Sequence, residues 1–489
     1  MAKNREKEIS EKRLYVAGWM LTVVQMILTV VFAVILHRTA LFPVKMEAVA
    51  DIGLVIVLLI ERVLMRRKGT TVQCVVGYMA AVILCTGYIY AGGKLNQLTD
   101  TLQTITDVKE ETAHMGVYVL DEDAAQSITD TAEYRFGILK EIAREDSDNT
   151  VAQIQEELGQ KVIKGEYDGV SDLADAVLTG ESKAVIMNED FADMITEIEG
   201  YENFSSEVRE IASYEWKNVV NSVDSDERKN TVGDDVIFVM YLSGIDTFGA
   251  ISSKSRSDVN ILAVVNSYTH QILLVSTPRD YYVPLSVSNG IKDKLTHAGI
   301  YGIDVSIDTL EKLYDMNIDY YFRVNFSGFE ALIDALGGIT VQSEYSFDVE
   351  PSFHYTKGNN EVNGMEALAF ARERHAFAEG DRQRGENQMA VITGVIQKLQ
   401  TPAVLQNFTG LMDGVKGSFE TDMPYNVLLK LVRNQLSAGT GWTVKSYTVD
   451  GTGSKASTYS ISKPVYVMEP DKTTVEEANQ MINQVLMGE

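Results

Sequence analysis

VIFVMYLSG (236–244), NILAVVN (260–266) and QILLVST (271–277) are short runs rich in Val, Ile and Leu, each bounded by turn residues. Runs of this length and composition predict buried β-strands. Helix-period stretches follow at SIDTLEKLYDM (306–316) and GFEALIDALGG (328–338), the second closing on a glycine pair suited to a helix C-terminus. IDYYFRVNF (318–326) and ITVQS (339–343) predict further strands. Strands interleaved with helices predict an α/β domain, layered α-β-α around a mixed sheet.

Outward from this core the chain changes character. Leu14–Leu36 carries no charge and is long enough to cross a hydrocarbon core of about 30 Å. Val72–Tyr90 is a second such run. Between them Leu41–Ile60 is weaker, because Lys45, Glu47 and Asp51 fall in its first half. No small-residue cleavage site follows the first run, so it reads as an anchor. Residues 1–13 hold five Lys/Arg and 62–68 hold four. Basic excess marks cytoplasmic loops. Three crossings then place everything after Gly92 outside the cell, which predicts a multi-pass membrane protein with a large extracellular domain. Parity decides this: with two crossings the large domain is cytoplasmic.

Both cysteines, Cys74 and Cys85, lie in the third run, so the large domain is stable by its core alone, without disulfides. Net charge is -26. Residues 1–91 hold 11 Lys/Arg against 6 Asp/Glu, which leaves -31 for the rest. Such an acidic domain repels a phosphate backbone, and nucleic acid is excluded as a general partner. From about Leu98 to Lys229 the sequence is polar and contains one β-to-α unit, a strand at Ala184–Met187 and a helix at Phe191–Ile198. This predicts a small accessory α/β domain, joined by a charged linker at 221–235. The expected division is 1–91 for three transmembrane helices, 92–230 for the accessory extracellular domain, and 231–489 for the catalytic domain with a C-terminal extension.

Polar clusters sit beside the apolar runs. Asp246 follows the first, Arg256 and Asp258 precede the second, and Arg279 and Asp280 follow the third. Strand ends are where α/β folds gather ligand groups. Any one of these alone also fits a turn residue in a surface ion pair. FARERHAFAEGDRQRGENQ (370–388) adds Arg372, Arg374, Arg382 and Arg384 to an otherwise acidic chain. Asp381 is placed to cap the following helix, where Asp381, Arg384 and Gln388 share one face. Val391, Ile392, Val395 and Leu399 supply its apolar stripe. Glu373, Glu379 and Glu386 leave open a salt-bridged surface helix. The recurrent Arg-x-Arg pairs favour bidentate phosphate recognition. Two aspartates beside arginines suit Mg²⁺ held by carboxylates and phosphate oxygens. No Walker-type loop and no HExxH occurs, so nucleotide hydrolysis and zinc proteolysis lack support. Lys294 and His297 are second-tier candidates.

SGIDTFG, SRSDVNILAVVN, STPRDYYV, KDKLTHAG, YYFRVNFSGFEALIDALGGI, ALAFARER and GDRQRGENQ occur in that order over roughly 236–400. The set resembles the LytR-CpsA-Psr (LCP) family of cell-envelope phosphotransferases, and the three spans plus accessory domain resemble its streptococcal, capsule-linked CpsA branch. The resemblance implies a Gram-positive-type enzyme. It would move a glycopolymer phosphate (capsular polysaccharide or teichoic acid) from a polyprenyl-pyrophosphate carrier in the membrane lipid to peptidoglycan. It implies Asp246 and Asp258 as ligands of Mg²⁺, with Mn²⁺ as a substitute, and as catalytic residues with Arg279. Arg256, Arg279, Arg372, Arg374, Arg384, Asp381 and Gln388 would bind the pyrophosphate, and the polyprenyl tail would enter an apolar groove. A non-catalytic polyprenyl-phosphate sensor regulating envelope synthesis would share every one of these binding residues, whereas a third reading, a scaffold for the capsule machinery, would tolerate loss of the arginines.

Overall fold

The computed structural model describes residues 2–489 apart from 40, 66–70, 107–109, 220–230, 233–234, 246, 248–250, 350–351, 402–410, 412–414 and 416. Three helices come first: α1 (Ala2–Thr39), α2 (Val44–Leu64) and α3 (Thr71–Thr106). They pack on one another. Tyr15–Thr39 and Val72–Gln97 are long and apolar enough to cross a membrane. The third helix runs on to Thr106, beyond the boundary expected at residue 91. Leu41, Phe42 and Leu95 then pack into an apolar cluster of the large domain, and Tyr425 Oη donates to the Thr39 carbonyl at 2.9 Å.

The accessory domain has its own five-stranded sheet. Its strands are β1 (Glu110–Leu120), β2 (Arg135–Leu139), β3 (Ile163–Tyr167), β4 (Ala184–Asn188) and β5 (Val208–Val219), in the order β3-β2-β4-β1-β5. Helices α4 (Arg144–Leu158), α5 (Val170–Leu178) and α6 (Glu189–Thr196) cover it. The expected strand and helix at 184–198 are β4 and α6. The expected linker at 221–235 falls mostly outside the described residues.

The larger sheet uses β6 (Asp235–Ile245), β7 (Ser257–Asn266), β8 (Gln271–Ser276), β9 (Tyr320–Val324), β10 (Phe419–Thr421) and β11 (Thr443–Thr448), in the order β10-β9-β6-β7-β8-β11. The pairs β9/β6 and β8/β11 are parallel and the others antiparallel, so the sheet is mixed. Strand periodicity separates two faces. Val239, Tyr241, Leu262, Val264, Leu273 and Val275 face α7 (Ile303–Tyr314) and the C-terminal α12 (Lys472–Met487). Phe238, Ile261, Ala263, Val265, Ile272 and Leu274 face the opposite layer. That layer contains α8 (Phe326–Ala335), α9 (Gly364–Arg372), α10 (Asp381–Leu399) and α11 (Tyr425–Ala438). The expected α-β-α arrangement is therefore present. Residues 443–487 are not appended to it: β11 joins the sheet and α12 covers β7 and β8.

The two sheets are locked together. Arg323 of β9, fully buried, pairs with Glu111 of β1 and with Glu420 of β10. The Glu111 carboxylate also accepts from Ile303 N at 3.2 Å. Ile300, Ile461, Val465 and Val467 of the larger domain complete the accessory apolar cluster. A buried guanidinium needs this pairing, because an unpaired charge costs several kcal/mol (~3–5).

Candidate functional site

An apolar cavity of about 890 Å³ lies between the sheet and the α8–α11 layer. Its floor is Phe238, Met240 and Leu242 of β6 with Ala263, Val265, Ile272 and Leu274 of β7 and β8. Val391, Ile392, Val395 and Leu399 of α10 form part of its roof. The apolar stripe expected on that helix is thus the cavity wall. The polar groups at the cavity are mainly Glu197, Arg256, Asp258, Arg279, Arg372, Arg374, Arg384 and Gln388.

These side chains converge because strand ends meet. β7 runs antiparallel to both neighbours, so its first residues lie beside the last residues of β6 and β8: Gly244 pairs with Val259, and Ile261 with Ser276. Asp258 enters the sheet there, and Arg279 leaves β8 three residues past its end. Helix α10 approaches closely at Gly385, where an added Cβ would lie 2.9 Å from Ser276 Oγ. This brings Arg384 over the same strand ends.

Asp258 Oδ2 accepts from Arg279 Nη1 at 2.8 Å, and Oδ1 accepts from Thr296 Oγ1 at 3.0 Å. Burial works to raise the Asp258 carboxyl, but Arg279, Arg384 and Arg256 pull it down to about 2. Arg279 lies 3.8 Å from Asp280, whose other oxygen meets Lys294 Nζ at 3.2 Å. Burial opposes the charge on Arg279, yet Asp258, Asp280 and Glu197 raise it above its ordinary range. Arg384 pairs with Asp381 at 2.5 Å. Here burial outweighs their attraction, pushing the Asp381 carboxyl up and, with Arg279 and Arg374 nearby, pulling the Arg384 guanidinium down. Asp381 is the first residue of α10 and Gly380 is its cap, so the carboxylate expected to cap the helix serves Arg384 instead.

Arg372 and Arg374 differ from these. Among the described residues neither has a carboxylate partner. Arg372 stacks 4.3 Å over the Phe326 ring, and Arg374 Nε lies 3.4 Å from His375 Nε2. Buried Arg279 Nε and Arg384 Nε also lack an acceptor among the described residues. Buried N–H groups rarely stay unpaired, and these donors have the chemistry to take an anion. Gln388 donates to the Ala371 carbonyl at 3.5 Å and ties α10 to α9. Arg382 turns away to Asp450 at 2.8 Å.

Asp246 lies outside the described residues. His297 is buried against Asp293 at 2.7 Å, and that carboxylate also accepts from Ser460, so His297 is part of the core. Lys294 joins the site network. Asp193 and Glu197, from the accessory domain, enter it unforeseen.

The model of the LytR_cpsA_psr family matches residues 199–482. A polyisoprenyl-teichoic acid–peptidoglycan teichoic acid transferase TagU from Bacillus cereus is 34% identical over 196 residues, covering 40% of this chain and 63% of that protein. The TagU of Enterococcus faecalis is 33% identical over 219 residues, covering 45% and 71%. The crystal structure of Bacillus subtilis TagV superposes with a TM-score of 0.45 at 25% identity, over 51% of this chain and 97% of that one. The family match spans more than half of the 489 residues, and the chain belongs to the LytR_cpsA_psr family.

Proposed function

We propose that this chain transfers a glycopolymer phosphate from a polyprenyl-pyrophosphate carrier to a hydroxyl of peptidoglycan. One observation carries the reading: an apolar cavity of about 890 Å³ lined also by arginines, two of them with buried donors that have no acceptor among the described residues. An isoprenoid tail suits the cavity and a pyrophosphate suits the arginines. The relatives, polyisoprenyl-teichoic acid–peptidoglycan teichoic acid transferases, point to the same chemistry. The acceptor oxygen forms a new P–O bond at the sugar-side phosphorus, and the bridging P–O bond breaks. Polyprenyl phosphate leaves, and the hydroxyl proton passes to solvent or to the leaving phosphate. Arg279, Arg374 and Arg384 bind and neutralise the phosphate oxygens, and the cavity excludes water from the tail.

Asp258 fits a hard cation: it is ionised, and each of its oxygens keeps a lone pair beyond its one hydrogen bond. With Asp246 it would hold Mg²⁺, which supplies further charge neutralisation. The test is transfer of labelled, carrier-linked glycopolymer to peptidoglycan by the full chain in detergent. Label appearing in peptidoglycan supports the enzyme. Carrier binding without turnover would instead leave the sensor reading.

The same proposal places three spans in the membrane and residues 107–489 outside. Helix α2 has 21 residues, about 31 Å of rise. Lys45, Glu47, Glu61 and Arg62 fall near its ends and Asp51 about two turns in, while Val49, Ile52, Val55, Ile56, Leu59 and Ile60 are exposed, as lipid-facing residues are. Protease added to intact protoplasts is expected to digest the large domain while sparing α1–α3. A fully protected large domain would overturn the topology.

A further inference from the structure

The accessory domain reaches the anion site through one helix face. Asp190, Asp193 and Glu197, at or just past α6, follow i, i+3, i+7 spacing and point the same way. Asp190 accepts from Ser255 Oγ at 3.1 Å, and Asp193 lies 3.4 Å from Arg256 Nη2. Glu197 bridges two cations: Oε1 accepts from Arg256 Nη1 at 3.0 Å and Oε2 from Lys294 Nζ at 2.9 Å. The Arg256 and Lys294 side chains are only 8% and 4% exposed. Glu197 as a residue is exposed, but through its backbone; its side chain is 29% exposed and lines the cavity. Opposite charges alternate without a break from Asp258 through Arg279, Asp280, Lys294 and Glu197 to Arg256.

The backbone repeats this coupling. Thr112 N of β1 donates to Ser252 O at 2.8 Å, and Lys254 N donates to Thr112 O at 2.9 Å. The accessory sheet therefore pins the segment that carries Arg256, while α6 supplies the carboxylates for its guanidinium. None of the three acids lies within residues 199–482.

We propose that Glu197 is a positioning residue of the transfer site, holding Arg256 and Lys294 at the cavity mouth where the carrier phosphate binds. The accessory domain is then part of the binding machinery. This rests on the carrier-binding reading given above.

The test measures binding of geranylgeranyl pyrophosphate to the full chain in detergent, with transfer kinetics alongside. Glu197→Gln keeps the shape but cannot accept from both cations, and is expected to weaken probe binding and raise KM about tenfold. Glu199→Gln breaks an ion pair with Lys455 away from the site, 85% exposed on the acid side, and is expected to stay within about twofold. A purely structural role would lower the melting temperature and the active fraction and leave KM unchanged. Unchanged probe affinity in Glu197→Gln overturns the inference, and so does tighter binding, which would make Glu197 a competitor of the phosphate. If Glu197→Gln fails to fold, Glu197→Asp keeps the charge one methylene short. Affinity at least threefold weaker then supports positioning, and wild-type affinity overturns it. Failure of the underlying reading looks different: the wild-type chain itself would not bind the probe.

Discussion

Arg374→Ala is expected to lower transfer about 100-fold while leaving the melting temperature unchanged. Removing one preorganised donor from a site of developing charge typically costs that much. The thermal result follows from the partners. Among the described residues Arg374 meets only His375, so its loss strands no buried carboxylate. Arg279→Ala is a different experiment. It strips Asp258 of its 2.8 Å partner, and breaking such a pair costs about 3–5 kcal/mol. That variant is expected to lose both transfer and stability. Arg279→Lys separates the two: it keeps the charge and most of the stability but loses the two-pronged fork. Labelled-polymer transfer and thermal unfolding on the same samples decide the matter. Wild-type transfer by Arg374→Ala would make it a surface cation outside the binding site.

The sheet was legible because its central strands are buried on both faces. β6, β7 and β8 read as near-continuous apolar runs, and their alternation sorts one set to the α7/α12 layer and the other to the cavity. β11 escaped because TVKSYT sits at the sheet edge, with only half-buried and exposed residues and little apolar signal. Helix α10 and its apolar stripe were legible in position, but not that the stripe lines a cavity. A side chain facing an apolar cavity and one facing a packed core carry the same periodicity.

The arginines were legible as a group, and their division of labour was not. Arg372, Arg374, Arg382 and Arg384 look alike in sequence, yet Arg382 serves Asp450 and Arg384 serves Asp381. Pairing depends on what the fold brings from elsewhere. Glu197 is the clearest case: it lies 59 residues before Arg256 and reaches it only because α6 docks against the segment after β6. The spacing of Asp190, Asp193 and Glu197 was a usable signal, since three acids on one helix face need a basic surface or water.

Asp258→Asn is expected to slow transfer about 1,000-fold, a loss of the size seen when a charge-stabilising group leaves an active site. Asp258 sits at the sheet end where Ser257, the residue before it, pairs with Ile245 of β6. Replacing a carboxylate by an amide keeps the shape and removes the charge a hard cation prefers. Wild-type transfer is then expected to fall in EDTA and to return with Mg²⁺ or Mn²⁺, which share octahedral oxygen coordination. The residual transfer of Asp258→Asn is expected to ignore EDTA. Stability follows a separate rule with a definite sign. The folded Asp258 carboxyl titrates near 2, below its unfolded value of about 3.9. Its ionised form therefore stabilises the fold at neutral pH by about 3 kcal/mol. That contribution is lost as pH falls from about 5 toward 2. Asp258→Asn is expected to melt earlier than wild type at pH 7, with the gap closing in acid. Full wild-type transfer in EDTA would remove the metal and leave Asp258 with one role, holding the Arg279 guanidinium toward the carrier phosphate.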